Sequence, residues 1–596
     1  MIDATNRTTL WASILADELA RHGVTHAVIA PGSRSTPLAV AFSRDERFTV
    51  HSALDERGAA FFALGIGMAT ARPAVLVCTS GTAAANFFPA IIEANQSGVP
   101  LLALTADRPA DLRGSGANQT IDQVRLYGGH VRWFVELPEP AANPPDRTLR
   151  SLRTTICRAV AAATGRSGGP VHINVPLRKP LEPVPVAGDV PAAVLAGIGA
   201  RGRAAGEPFM AVHTERLAPL DEIELRPLTD AIRGSTRGLI ICGRGLVDPG
   251  PLVRVAQQTG FPTLVEPFCP TRLSPAATRE HQLILGGYET FLRGALAAAL
   301  KPDLIVRFGD PPVGKALLDY TEQHADVEQI VVTPRTHRLD SALTTTAAIP
   351  HEPKAVLLAL IDQRVGATVD RAWQAAFVQA EALTQAATAA MHRAHPHEGT
   401  VVADVFALAP ARAAVFAANS TIIRHVDQFA LGGQGQFVYA NRGASGIDGN
   451  VATAVGLAHS YPTTLIIGDV ALYHDLNSLH LIRRLGIPLV IVCINNDGGG
   501  IFHRLPIAAH EPPFRELFVT PHGLTFAHAA ALFDIPYTRA EPGEAFRGAY
   551  RTALETGGPH LIEVPSDAAA FENQRRALIE EVHRRIEAAE IVTKKE

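Results

Sequence analysis

Short apolar runs, many of them β-branched, recur along this chain, each ending in a loop of Gly, Ser, Thr or Asp and separated from the next by Ala/Leu-rich stretches. HAVIA (26–30) leads into PGSRS, AVLVC (74–78) into TSGT, and PLLAL (100–104) into TADRP. Such runs lack the apolar–polar alternation of a strand with one wet face, so they read as strands buried on both sides. A mostly parallel sheet with helices on both faces buries strands that way, and the intervening stretches supply the helices. An α/β chain is therefore expected. In open sheets of this kind, ligands sit at the carboxyl ends of the strands, where the Gly/Ser/Thr/Asp loops lie.

At 596 residues the chain is too long for one core, and a prior of about one domain per 150 residues allows two to four. PLRKPLEPVPVAGDVP reads as a Pro-rich linker closing a first domain, 1–190. A second, 191–365, carries GLIIC (238–242), TLVEP (263–267), LIVRFG (304–309) and QIVVT (329–333). The Ala-rich stretch 366–400 reads as helical and opens a third, 366–596, with TLIIGD (464–469), PLVIVCINN (488–496), HLIEVP (560–565) and a closing helix. Each domain is expected to be a mostly parallel sheet flanked by helices. The first and third are similar in length and style.

Fifty-four Lys and Arg against 58 Asp and Glu give a net charge of −4 with no basic tract, which argues against a nucleic-acid partner. The five cysteines are widely spaced, odd in number and free of any C-x-x-C pair. That argues against a disulfide framework or Cys-rich zinc site and fits a reducing cytoplasm. No apolar run approaches the roughly 18–20 residues that span a bilayer, and the N-terminal segment lacks the apolar core of a signal peptide.

Three patterns are set aside. Gly197, Gly199 and Gly202 match G-x-G-x-x-G, but in a Gly/Ala/Arg linker rather than between a strand and a helix. His392, His395, His397 and Glu398 read as a solvated helix-to-loop junction broken by Pro396, and LGGQGQF (431–437) as a flexible connection.

The local signal that carries chemistry is Gly468-Asp469 at a strand end, followed 27 residues later by Asn496 in NNDGGG. Both follow an apolar β run, so both should reach the same edge of one parallel sheet. An Asp carboxylate, an Asn amide oxygen and a backbone carbonyl are hard oxygen ligands that, with diphosphate oxygens, complete a magnesium octahedron. Glycines after Asn496 let backbone approach a phosphate. The spacing is similar to the thiamine diphosphate motif, in which GDG precedes NN by 25–30 residues or so, although Val470 stands at the third glycine. Such enzymes also need a carboxylate against N1′ of the aminopyrimidine, and Glu56 in HSALDERGAAFFALG fits.

APGSRSTPL (30–38), LDERGAAFFALG (54–65), TSGTAAANFFPAIIEA (79–94), TADRP (105–109), GANQTIDQ (116–123), NRGASGIDG (441–449) and NNDGGGIF (495–502) resemble one thiamine diphosphate family across nearly the whole chain. It is the menaquinone-pathway 2-succinyl-5-enolpyruvyl-6-hydroxy-3-cyclohexene-1-carboxylate synthase family (MenD). The resemblance implies a three-domain thiamine diphosphate-enzyme fold with pyrimidine-binding, central and diphosphate-binding domains. It implies Mg²⁺, with Mn²⁺ as the alternative ion, held by Asp469, Asn496 and the Gly498 carbonyl. Glu56 would activate the cofactor, Ile447 would bend it, and Ile501 and Phe502 would form an apolar wall. Ser33, Arg34, Arg108, Gln119, Lys315, Ser420, Arg424 and Arg442 match polar positions around two acid substrates, Ser420 and Arg424 joining Glu56 in catalysis. Ala316 stands where some relatives have a second cation.

The implied reaction is decarboxylation of 2-oxoglutarate and 1,4-addition of the resulting succinyl semialdehyde carbanion to isochorismate. The implied assembly is a homodimer or homotetramer with active sites between subunits. Both acids are dicarboxylates, and Arg34, Arg108, Arg424 and Arg442 are the residue type that grips carboxylates bidentately. Another thiamine diphosphate-dependent 2-oxoacid lyase, or a non-catalytic sensor on the same fold, are the alternatives.

Overall fold

The computed structural model describes residues 2–212, 220–245, 248–275, 282–335 and 339–591. Among them, eighteen strands form three six-stranded sheets in which every pairing is parallel. The chain divides into two compact units: residues 1–216, 441–461 and 473–487 form one, and 217–440, 462–472 and 488–596 the other.

The first unit contains β1 (His26–Ile29), β2 (Thr49–Ser52), β3 (Ala74–Cys78), β4 (Leu101–Asp107), β5 (Trp133–Glu136) and β6 (Pro170–Pro176), in the order β2-β1-β3-β4-β6-β5. β3, β4 and β6 are buried throughout; β3 is an unbroken apolar run, whereas β4 and β6 also bury Thr105, Asp107, His172 and Asn174. The strand order reverses between β1 and β3, which opens a crevice at their carboxyl ends. Helix Glu56–Thr70 starts on an Asp55 cap, whose side chain accepts the Arg57 N–H. It packs against helix Asn450–Ala458 at a pair of glycines: a Cβ on Gly65 would collide with the Thr453 carbonyl, and one on Gly456 with the Phe62 carbonyl. That close approach draws a segment late in the chain into the first unit.

The second unit holds two sheets. In one, β7 (Gly238–Cys242), β8 (Thr263–Val265), β9 (Ile284–Leu285), β10 (Leu304–Phe308), β11 (Glu328–Val332) and β12 (Ala347–Ile349) lie in the order β12-β11-β10-β7-β8-β9. In the other, β13 (Ala414–Ala417), β14 (Phe437–Tyr439), β15 (Thr463–Gly468), β16 (Leu489–Asn495), β17 (Tyr537–Arg539) and β18 (His560–Pro565) lie in the order β14-β13-β15-β16-β18-β17. This repeats the order of the first unit's sheet strand for strand. Its reversal falls between β13 and β15, so the loops after those two strands face the crevice.

The junction at 392–398 is exposed from Arg393 to Pro396, as a solvated turn should be, but its last two residues are buried: His397 is 5% and Glu398 1% exposed. The rings of Phe429 and Phe571 pack on His397, whose Nδ1 accepts the Gly399 N–H to start helix Glu398–Leu408. The segment around 431–437 is pinned rather than flexible, because buried Gln436 donates to the Phe406 and Ala409 carbonyls. Gly199 and Ala200 offer their carbonyls to buried Arg153, so that glycine-rich stretch is packed and binds no phosphate through them.

Candidate functional site

Asp469 is the first residue beyond β15 and is 2% exposed. Its Oδ2 accepts the backbone N–H groups of Asn496 (3.1 Å) and Gly498 (2.9 Å), and His522 Nε2 lies 3.2 Å away. Its Oδ1 accepts the Val470 N–H at 2.7 Å, so the residue that departs from the familiar glycine takes part through backbone alone. Burial pushes the Asp469 carboxyl up, against the opposing N–H donors and His522. One carboxylate therefore ties the loop after β16 to the end of β15. Gly498 is required there, with φ +130° and a Cβ position that would collide with the Val519 carbonyl.

Asn496 is held from behind by a chain of buried polar groups. Its Nδ2 donates to Glu398 Oε1 at 3.0 Å, and the other Glu398 oxygen lies 2.7 Å from His425 Nε2. Arg504, which can only donate, reaches His425 Nδ1 at 3.2 Å. That nitrogen must then be the acceptor, and Nε2 carries the proton donated to Glu398. Burial would raise the Glu398 carboxyl, but hydrogen bonds from His425, Asn496 and Ser566 outweigh it and hold it at about 2. His425 is kept neutral by burial. A carboxylate accepts only, so the Asn496 amide must turn its nitrogen to Glu398 and keep its oxygen for other partners. Sequence reasoning missed Glu398, taking Pro396 as the mark of a wet turn.

Ser420 lies just beyond β13 with φ +67° and ψ −125°, a strained conformation for a serine. Its carbonyl accepts from Arg424 one helical turn on, at 2.5 Å, and burial lowers the Arg424 guanidinium while Glu289 opposes it. Ile501 and Phe502 are half-buried in the short helix Gly500–Arg504, with Phe502 edge-on to Phe518 at 5.3 Å. Lys315 is exposed and paired with Asp319 at 2.6 Å, while Ala316 beside it is buried, its N–H given to Glu289.

In the first unit, Glu56 is the half-buried first residue of helix Glu56–Thr70; burial first, and the nearby Glu56 charge second, raise the Cys78 thiol. Ser33, Arg34, Arg108 and Gln119 gather at the crevice between β1 and β3. Arg34 donates to the Leu177 carbonyl at 2.8 Å, Arg108 to Ser80 Oγ, and Gln119 to the Ser80 carbonyl at 3.0 Å. Ser33 is exposed in the loop after β1. Burial and then the Arg108 charge lower the Arg34 guanidinium, and its Nε is buried with no hydrogen-bond partner. Two neighbouring guanidiniums, only partly offset by Asp107, and an unanswered donor suit an anion. Arg442 and Ile447 lie on the loop before helix Asn450–Ala458. Buried Glu93 anchors that loop by accepting the Gly443 and Ala444 N–H groups, each at 2.7 Å. Glu93 stands in the string TSGTAAANFFPAIIEA, but sequence reasoning gave it no role, because the loop it anchors lies far along the chain.

These donors suit the groups the sequence implies. Asp469, the Asn496 amide oxygen and the Gly498 carbonyl are an all-oxygen set suited to a hard dication. The buried, upward-pushed Asp469 carboxyl gains most from a nearby positive charge.

Comparison with known proteins agrees. Residues 11–126 match the thiamine pyrophosphate enzyme N-terminal TPP binding domain, and 424–564 the C-terminal TPP binding domain. A 2-succinyl-5-enolpyruvyl-6-hydroxy-3-cyclohexene-1-carboxylate synthase of Roseiflexus sp. (strain RS-1) is 46% identical over 586 residues, 96% of this chain and 98% of the relative. The proteins of the same name from Roseiflexus castenholzii and Halobacterium salinarum are 44% and 43% identical, covering 96% and 97% of this chain and 98% and 99% of their own. With motifs, sheet order and near-complete coverage in agreement, the chain belongs to the 2-succinyl-5-enolpyruvyl-6-hydroxy-3-cyclohexene-1-carboxylate synthase family of thiamine pyrophosphate enzymes.

Proposed function

We infer that this chain is a thiamine diphosphate-dependent transferase of menaquinone biosynthesis. It decarboxylates 2-oxoglutarate and adds the remaining four-carbon unit to isochorismate, giving 2-succinyl-5-enolpyruvyl-6-hydroxy-3-cyclohexene-1-carboxylate and CO₂. The observation that carries the reading is the neighbouring pair Arg34 and Arg108 with its unanswered donor, in a chain that also carries the Asp469–Asn496 loop. The first suits a carboxylate-rich substrate and the second a metal diphosphate.

When bound, thiamine diphosphate supplies the electron sink that takes the pair left when CO₂ departs. Asp469, Asn496 and the Gly498 carbonyl would hold Mg²⁺ or Mn²⁺, with Glu398 fixing which end of the Asn496 amide is free for the ion. Glu56 would hold a proton toward the aminopyrimidine of the cofactor, and Ile447 would support it from the loop before helix Asn450–Ala458. Ile501 and Phe502 keep water from the reacting carbon, whose protonation would turn a synthase into a plain decarboxylase. Arg34, Arg108, Arg424, Arg442 and Lys315 hold carboxylates, with Ser33, Gln119 and Ser420 orienting them. Lys315 must leave Asp319 to do so.

The reading includes a homodimer or homotetramer with sites shared between subunits, as the family resemblance implies, and a cytoplasmic setting. Five buried free cysteines suit a reducing compartment. No helix among the described residues is long and apolar enough to cross a membrane. Mass spectrometry of the enzyme with cofactor, Mg²⁺ and both acids tests the function. The reading expects a product at the summed mass of both acids less CO₂, lost in E56Q. CO₂ release without that product would discard isochorismate as the acceptor.

A further inference from the structure

Three histidines that the proposed chemistry does not use converge in the first unit. His26 opens β1, and His51 lies on β2, the parallel neighbour of β1. The register sets His26 opposite Thr49 and Val28 opposite His51, so the two histidines are two positions apart and share a face of the sheet. His459 ends helix Asn450–Ala458 as its C-cap. His26 Nδ1 lies 3.2 Å from His51 Nε2. The His459 ring stands edge-on to both, with centroids 5.2 and 4.8 Å away, and one ring nitrogen from each of the three lies within 4.8 Å of the others.

Chemistry narrows what such a cluster can take. His51 is 4% exposed and backed by the edge of Phe62, whereas His459 opens to solvent. Burial first, and the neighbouring rings second, hold His26 and His51 below the ordinary imidazole value, His51 at about 3; burial does the same for His459. All three rings are therefore neutral near pH 7; without an ion, His26 Nδ1 and His51 Nε2 share a hydrogen bond, and moving its proton to that ring's other nitrogen leaves both lone pairs for a metal. An all-imidazole set suits zinc, cobalt, nickel or copper and does not suit magnesium or calcium, which demand oxygen. Metal–nitrogen bonds of about 2.0–2.1 Å at tetrahedral angles space two nitrogens roughly 3.3 Å apart, which matches the His26–His51 separation. His459, exposed at a helix end, completes the triad by a rotamer adjustment, and water fills the fourth position.

We propose that His26, His51 and His459 form a binding site for a late first-row divalent cation of the zinc class, separate from the Asp469 loop. The ion would bind β1, β2 and the end of helix Asn450–Ala458 together. His51 precedes Glu56 by only five residues, so occupancy stiffens the mount of that carboxylate.

The test is titration of the intact enzyme with Co²⁺, then Zn²⁺ in competition, at saturating thiamine diphosphate and millimolar Mg²⁺. One Co²⁺ per chain should bind with the intense visible absorption of a four-coordinate ion, be displaced by Zn²⁺, and raise the melting temperature. H26Q and H459Q should each weaken binding at least about tenfold, the loss that even an outer partner of a ligand causes. H459Q changes an exposed side chain, so it keeps the test valid if H26Q folds poorly; its product formation without added zinc should match the parent enzyme. Absence of uptake, uptake equal in H459Q, or only the weak bands of a six-coordinate ion would each overturn the proposal.

Discussion

At the scale of single residues, the account turns on buried groups that no motif names. Glu398 is a positioning residue: its carboxylate, held ionised by His425, Asn496 and Ser566, decides which end of the Asn496 amide is free. E398Q leaves one acceptor for two donors, so either Asn496 Nδ2 or His425 Nε2–H faces an N–H, and the carboxylate that orients the Asn496 amide is lost. Titration of Mn²⁺ by electron paramagnetic resonance, with cofactor present, should show metal affinity falling about 10–100-fold; unchanged affinity would contradict the role. Ser420 makes the opposite trade. Its φ of +67° costs roughly 1–3 kcal/mol, so S420G should raise stability by about 1 kcal/mol in urea denaturation while lowering kcat/KM. Motif reading reached Asp469, Asn496 and Glu56 because their neighbours in sequence announce them. It could give no role to Glu398, set aside with its junction, or to Glu93 within TSGTAAANFFPAIIEA, because their partners lie 98 and 350 residues away.

Among elements, the most demanding contact is the crossing of helix Glu56–Thr70 with helix Asn450–Ala458, where Gly65 and Gly456 let the backbones touch. Overpacking of this kind typically costs about 1–3 kcal/mol. G65A should therefore lower the melting temperature of the intact chain, and no change would show that the helices can part without cost. Central strands were legible in advance because burial on both faces writes them as continuous apolar runs: β3, β7, β15, β16 and β18 lie where AVLVC, GLIIC, TLIIGD, PLVIVCINN and HLIEVP stand. Others escaped for identifiable reasons. β6 is bounded by two prolines and carries His172 and Asn174, and β13 is a four-residue run set among alanines, a residue type that strands disfavour. β9, β12, β14 and β17 span only two or three residues at or near sheet edges, too short for any periodicity.

On the scale of the whole molecule, stability should bend with pH through the second unit. Glu266 follows β8 and is 1% exposed; burial first, and the Asp427 charge next, push its carboxyl up to about 8 against the Val313 and Gly314 N–H groups. The folded chain keeps this proton until about pH 8, whereas an unfolded carboxyl releases it near 4.5. Unfolding therefore releases a proton across that window, and this group's contribution falls as pH rises, by about 1.4 kcal/mol per unit at most. E266Q should match the parent near pH 5 and exceed it by up to a few kcal/mol near pH 8.5, as read from urea denaturation at each pH; parallel curves would contradict the assignment. The central claim, that this chain's own carboxylate at Glu56 activates a bound thiamine diphosphate, has its most direct test in proton exchange at the thiazolium C2. That exchange can be followed by acid-quenched NMR of the holoenzyme in D₂O, without either substrate. The account predicts fast exchange in the parent enzyme and a rate about 10²–10⁴ lower in E56Q with cofactor still bound; equal rates would contradict it.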